Sequence, residues 1–268
     1  MPASQRGPAG LRLYTFGCGT STADLSTFAG PRYSGQLVTI PMPAYLIEHP
    51  KGRLLFDTGP SYRVAEDAEG YLGRGLARAM NIQMQRDDAI DRQLERHGYR
   101  TDDITHVALS HMHLDHAGGM AHFPRARFLV QQDELRTAWW PERFQRHHYI
   151  FEDYVATRRF EFVELHGDYD VFGDGSVVML RTIGHTQGHS SLLVRLANNG
   201  PVLLTADAVH HRINLERFVL PSIEWSPTDC VKTIQRLRDV REHEQARVII
   251  AHDPDDWAEL KRAPEFLD

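Results

Sequence analysis

Two cysteines, Cys18 and Cys230, are all that the 268 residues contain. They are too few and too irregularly placed for a disulfide framework, so a reducing compartment fits. No apolar run approaches the length of a membrane-spanning helix. The stretch from Met1 to Gly10 is small and polar and lacks the apolar segment of a secretory signal. Positive charge is in deficit, with 30 Lys and Arg against 36 Asp and Glu, a formal charge of −6. The signs are interspersed, so no basic stripe exists to follow a phosphate backbone, which argues against a nucleic-acid groove. Internal repeats and low-complexity tracts are also missing. With these absences a cytoplasmic chain is expected, with a small molecule rather than a membrane or a nucleic acid as its partner.

The length suits one domain over residues 1–268, burying roughly 70 to 75% of the surface that the unfolded chain exposes. Strands are expected over 11–16, 43–49 and 53–57, a helix over 71–98 with Gly98 at its carboxyl cap, and a strand over 104–109. A strand over 126–131 leads into a helix from Asp133 to Trp139 that Pro141 ends, and 142–159 is an ambiguous aromatic-rich stretch. Segments 160–165 and 171–183 are expected to begin a second sheet, continued by 191–196 and 202–206. A last helix is signalled by Ser226 at the N-cap, Pro227 at the first helical position and Asp229 two later, with Cys230, Ile234 and Leu237 on one face.

What the chain has in excess is histidine at strand ends. Most of its 16 histidines, such as His97, His106 and His243, carry no functional weight alone. The run Ser110-His111-Met112-His113-Leu114-Asp115-His116 differs, because it packs three imidazoles and a carboxylate into six positions. In extended chain His111 and His113 project the same way and can grip one ion, while Asp115 and His116 fall where the chain turns. The missing ligands follow, each after an expected strand. His189 closes Gly184-His185-Thr186-Gln187-Gly188-His189, in which His185 reads as a supporting residue. Asp207 ends an apolar strand where its two oxygens can bridge two ions, and His252 follows 246–251. The set is His111, His113, Asp115, His116, His189, Asp207 and His252.

That order, H-x-H-x-D-H, then G-H-T-x-G-H, then Asp after an apolar strand and a late His, resembles the metallo-β-lactamase superfamily over residues 11 to about 257. The resemblance implies an α+β fold, the four-layer αββα sandwich with metal ligands on loops at one edge. It also implies two ions, one on His111, His113 and His189 and the other on Asp115, His116 and His252, bridged by Asp207. Zinc is the default for so many imidazoles, with manganese, iron and cobalt as alternatives.

Within the superfamily, His116 and Asp207 disfavour the antibiotic-cleaving branch, and His rather than Glu at 113 disfavours the flavo-diiron branch. Only sixteen residues follow His252, too few for the glutathione-binding region of glyoxalase II-like thioesterases. The motifs Leu54-Leu55-Phe56-Asp57-Thr58-Gly59, Ser110 to Gly119, Phe128 to Gln131, Thr205-Ala206-Asp207-Ala208 and Ala251-His252-Asp253 look like those of the N-acyl homoserine lactone lactonases, the quorum-quenching enzymes. Familiar members carry a Tyr three residues after the bridging Asp; here stands His210, whose imidazole can donate the same hydrogen bond.

The implied chemistry is hydroxide attack from between the ions on the lactone carbonyl, with His210 assisting at the carbonyl oxygen and Asp115 carrying the proton to the departing alkoxide. An acyl tail needs an apolar groove, for which Met42, Leu114, Trp139, Trp140, Phe144, Tyr149, Phe151 and Phe218 are the candidates. The stretch around Trp139 to Tyr154 reads equally as a lid or as a contact in a homodimer. The competing expectations are a hydrolase of the same fold acting on another lactone, a thioester or a phosphoester, and a non-enzymatic metal-binding protein.

Overall fold

Period-two alternation lets one strand serve two cores. Leu54 and Phe56 face one apolar cluster while Leu55 between them faces another. The computed structural model describes residues 6–268; residues 1–5, half of the amino-terminal stretch read above, lie outside the described residues. The first sheet contains β1 (Arg12–Asp24), β2 (Leu37–His49), β3 (Gly52–Phe56), β4 (Ile82–Gln83), β5 (His106–Ala108), β6 (Arg127–Gln131) and β7 (Glu161–Leu165), hydrogen bonded in the order β4-β1-β2-β3-β5-β6-β7. The second contains β8 (Tyr169–Asp170), β9 (Val177–Arg181), β10 (Ser190–Arg195), β11 (Pro201–Leu204) and β12 (Arg247–Ile249), in the order β12-β11-β10-β9-β8. The helices are α1 (Ser26–Ala29), α2 (Arg63–Leu72), α3 (Arg74–Met80), α4 (Ile90–Arg96), α5 (Leu114–Ala117), α6 (Gln132–Trp139), α7 (Phe151–Val155), α8 (Arg212–Arg217), α9 (Pro227–Glu244) and α10 (Pro254–Glu259).

Between the sheets, Leu13, Ile47, Leu54 and Phe56 from the first meet Val177, Met179, Leu192, Val194 and Leu204 from the second. The outer face of the first sheet, with Leu46, Leu55, Val107 and Phe128, packs on Ile90 and Leu94 of α4. The outer face of the second, with Leu193 and Leu203, packs on Ile234 and Leu237 of α9. The result is the four-layer αββα sandwich. Strands β3, β5, β6 and β7 run parallel, as do β11 and β12, so their carboxyl ends open at one edge. Open parallel sheets present ligand sites at those ends. No helix among the described residues is long and apolar enough to cross a membrane.

Three expectations need correction. The helix expected over 71–98 is broken: Gly73 at φ 78 separates α2 from α3, Asn81 at φ 43 ends α3, and β4 pairs with β1 before α4 begins. Gly98 does follow α4 in the left-handed region, with Tyr99 N–H on the Leu94 carbonyl at 2.9 Å. Segment 160–165 joins the first sheet as β7, parallel to β6, not the second. The strand expected over 171–183 shrinks to β9, because Gly173 and Gly175 turn the chain with positive φ. Helix α9 begins at Pro227, with Ser226 Oγ accepting from Asp229 N–H at 3.3 Å.

The ambiguous stretch contains α7, which is tied to α2 by the Tyr71 hydroxyl donating to Asp153 Oδ1. Asp153 Oδ2 is buried without a partner, and burial pushes this carboxyl up to about 8 from 3.8. The folded chain therefore keeps a proton that the unfolded chain releases, and stability falls as pH rises across that window. Asp153→Asn should remove the slope. Urea unfolding should find the variant more stable than the parent at pH 9, by on the order of 1 kcal/mol or more, with the gap closing toward pH 4. Parallel pH profiles for the two proteins would contradict it.

Candidate metal centre

After β3 the chain turns at Asp57, whose φ is 62. That kink aims its carboxylate at the loop following β5, where it accepts from Ser110 N–H at 2.7 Å and Ser110 Oγ at 2.8 Å and meets His116 Nδ1 at 2.9 Å. Nδ1 of His116 is thereby engaged and Nε2 turned inward. The same device recurs. His252 Nδ1 donates to the Pro41 carbonyl at 2.7 Å, and His111 Nδ1 lies 3.0 Å from Ser110 Oγ.

The inward atoms converge on Asp207. Its Oδ1 lies 3.1 Å from His116 Nε2 and 3.0 Å from His252 Nε2. Its Oδ2 lies 3.8 Å from His111 Nε2, 3.4 Å from His185 Nε2 and 3.1 Å from His210 Nε2. One carboxylate thus faces two groups of imidazoles, one group per oxygen. Asp115 Oδ2 stands 3.7 Å from both His116 Nε2 and His252 Nε2.

Electrostatics follow from burial. It holds His111, His113 and His189 well below the ordinary imidazole range, so these rings are neutral and keep a lone pair. Burial also opposes charge on His116, yet Asp207, Asp115 and Asp57 raise it well above that range. For Asp207, burial opposes ionisation but His116, His252 and His210 hold the carboxyl well below the usual range. Nε2 of His111, His113 and His116 and Oδ1 of Asp207 are buried without hydrogen-bond partners. Such orphaned acceptors and donors are costly. A divalent cation satisfies them, and the donor set of imidazole nitrogens and carboxylate oxygens suits one.

Sets of three donor atoms within 4.8 Å of one another are His111, His113 and His185; His111, His116 and Asp207; Asp115, His116 and His252; and His185, Asp207 and His210. The structure therefore gathers six of the seven expected ligands, together with His185 and His210. His189 stands beside them, its ring 5.2 Å from that of His111, with Nε2 accepting the Asp207 N–H at 3.1 Å and Nδ1 3.0 Å from Thr182 Oγ1. His185, expected to support, lies nearer: its Nε2 is 3.1 Å from His113 Nδ1. Gly184 lets this loop press on α9, since a Cβ there would meet Cys230 N and Sγ at 2.6 Å.

A cavity of about 70 Å³ opens over the cluster, walled by Phe28, Ile40, Ala79, Met80 and Ile223 and floored by Asp115, His185, Asp207 and His210. His148 is at its rim, pushed down to about 4 by burial. Phe28 stacks on the His210 ring with centroids 5.5 Å apart. None of the eight residues expected to form the groove lines this cavity. Met42 and Leu114 are buried, and Tyr149 is buried with its hydroxyl on Glu134 and its ring against His113. Trp139 packs on Phe151 and Tyr154. Trp140, Phe144 and Phe151 are exposed, and Phe218 caps α8 in the left-handed region. Local apolar density pointed to 139–154, whereas the wall is drawn from separate segments that only the folded chain brings together.

Similarity to known proteins extends over nearly the whole chain. The family model for the Metallo-beta-lactamase superfamily matches residues 41–261. N-acyl homoserine lactonase AttM of Rhizobium radiobacter is 37% identical over 259 residues, covering 96% of this chain and 98% of the relative. N-acyl homoserine lactonase AiiA of Bacillus thuringiensis subsp. kurstaki is 30% identical over 256 residues, covering 96% and 98%. A solved structure of an N-acyl homoserine lactone hydrolase, with the product N-hexanoyl-L-homoserine bound at its catalytic metal centre, superposes with a TM-score of 0.86 at 29% identity, covering 95% of this chain and 98% of that one.

Proposed function

The chain belongs to the metallo-beta-lactamase superfamily, and from that premise we propose that it is a metal-dependent hydrolase opening the lactone ring of N-acyl homoserine lactones. The observation that carries the reading is Asp207, one buried carboxylate with a different group of imidazoles at each oxygen. Full-length similarity to N-acyl homoserine lactonases supports the substrate class. The same reading takes residues 1–268 as one domain and two zinc ions as the cofactor, in a cytoplasmic homodimer.

In this reading His111, His113 and His189 would hold one ion, Asp115, His116 and His252 would hold the other, and Asp207 would contribute to both, with His185 as a further donor toward the first. When bound, the pair supplies a water deprotonated near neutral pH and a Lewis acid for the carbonyl. The residues do the rest. His210, whose ring nitrogens carry no hydrogen bond of their own, donates from Nε2 to the carbonyl oxygen as it gains charge. Asp115 takes the proton of the attacking hydroxide on its carboxylate once the new C–O bond has formed, and returns it to the ring oxygen as the acyl C–O bond of the lactone breaks. Phe28, Ile40, Met80 and Ile223 shelter the apolar part of the substrate. The product is the ring-opened N-acyl homoserine.

A panel of acyl homoserine lactones, simple lactones, thioesters, phosphoesters and β-lactams tests this. The expected result is fastest turnover on the acyl homoserine lactones, about two ions per chain by elemental analysis, and loss of activity on chelation. His210→Phe should lower turnover about 10-fold or more with metal content unchanged. Fastest turnover on a phosphoester, or equal rates for parent and His210→Phe, would turn the reading toward another substrate class.

A further inference from the structure

Glu224 lies outside every proposed ligand group, yet it touches both imidazoles that enlarge the cluster. Its side chain is 3% exposed. Oε2 lies 3.1 Å from His185 Nδ1, and Oε1 lies 3.7 Å from His210 Nδ1. The opposite nitrogens of the same two rings both face Asp207 Oδ2, at 3.4 Å and 3.1 Å. The rings stand 4.9 Å apart, centroid to centroid. A carboxylate thus sits behind each imidazole and another in front, with the cavity between.

The segment that carries Glu224 is itself pinned. Trp225 N–H donates to the His185 carbonyl at 3.1 Å and Ser226 N–H to the Gly184 carbonyl at 2.9 Å. Ser226 then caps α9, and Ile223 on the other side reaches the cavity wall. The backbone leaves Glu224 little freedom to point elsewhere.

We propose that Glu224 is a positioning residue for this site, holding His185 and His210 with their Nε2 atoms turned to the cavity side of Asp207. Glu224 Oε2 can only accept, and at 3.1 Å it is within hydrogen-bond distance of His185 Nδ1, so that nitrogen carries the hydrogen. This leaves Nε2 of His185 for the centre, where His113 and Asp207 meet it. Toward His210 the gap of 3.7 Å is beyond hydrogen-bond length, so Glu224 orients that ring by its charge and bulk without fixing which nitrogen carries the hydrogen, and Nε2 stays able to donate to a bound carbonyl. Glutamine in its place keeps the shape but loses the charge, and its amide can also donate, so the orientation is no longer imposed.

The kinetic arm of the test rests on the lactonase reading; the spectroscopic arm does not. In metal-free protein labelled with ¹⁵N-histidine, a low-field ring N–H protected from exchange, and missing in His185→Gln, reports the bond from His185 Nδ1 to Glu224. Glu224→Gln should move it upfield. If that variant does not fold, Glu224→Asp, which keeps the charge one methylene further back, should move it in the same direction. With metal content matched, Glu224→Gln should lower kcat/KM on hexanoyl homoserine lactone by roughly 10 to 100-fold, mostly in kcat, and Glu224→Asp should recover part of the loss. A ring signal unmoved by substitution, or kcat/KM for Glu224→Gln within about twofold of the parent, overturns the proposal. A parent protein inert toward the lactone sinks the functional reading instead, because the ring signal is read without substrate or metal.

Discussion

Replacing Asp115 by asparagine is expected to lower turnover by roughly 10² to 10⁴-fold while the chain stays folded and loaded. Asparagine has nearly the same shape, so α5 and the loop before it should hold their course. What it lacks is a site to accept a proton. Asp115 is 8% exposed at the cavity floor, with Oδ2 3.7 Å from His116 and His252 Nε2. It is therefore the cavity carboxylate not already enclosed between imidazoles, as Asp207 is. Steady-state kinetics on an acyl homoserine lactone, with ions counted by elemental analysis, checks this. Turnover within a few-fold of the parent with the ions in place would remove Asp115 from proton transfer.

The largest effect on stability is expected at Glu134, which takes no part in the chemistry. Its side chain is fully buried at the start of α6, where four groups converge on it. Oε1 accepts from Met112 N–H at 2.9 Å and Tyr149 Oη at 3.1 Å; Oε2 accepts from Thr186 Oγ1 at 2.5 Å and Gly188 N–H at 3.2 Å. One carboxylate thus ties the His111 to His113 loop, the His185 to His189 loop and the aromatic stretch together. Glu134→Ala strands two buried amides and two hydroxyls, each costing about 1 to 3 kcal/mol. A net loss of about 4 kcal/mol is expected, in the range reserved for broken buried networks. Glu134→Gln should lose less, because its oxygen still serves one side. Urea unfolding of metal-free protein measures both, and a loss below about 1 kcal/mol for Glu134→Ala would mean that the loops hold without it.

Glu134, Asp57 and Glu224 share a lesson about legibility. None carried a signal of role in the sequence, although Asp57 lay in a motif already singled out. An acid opening a helix or ending a strand is ordinary, and these three matter only through neighbours far along the chain. The Asp57 to Ser110 contact spans 53 residues and the His185 to Glu224 contact 39. His185 was discounted for the same reason: its distance to His113 is set by how two loops meet. The 71–98 segment misled differently, since its helical spacing is real but Gly73 and Asn81 take left-handed turns that spacing does not reveal.

Local sequence was enough for whatever is encoded over a few residues. The alternating and continuous apolar strands, the Ser226 cap, the His-rich run after β5 and the placing of Asp207 and His252 after strands are all of that kind, because side-chain direction and backbone preference act at short range. Assembly decided the rest. Parallel pairing brought the carboxyl ends of β3, β5, β6, β11 and β12 to one edge, and there set which imidazoles share which oxygen of Asp207 and which apolar residues wall the cavity. Those choices depend on contacts between distant segments, and the cost of burying a polar atom unpaired is assessed only once the layers have closed around it.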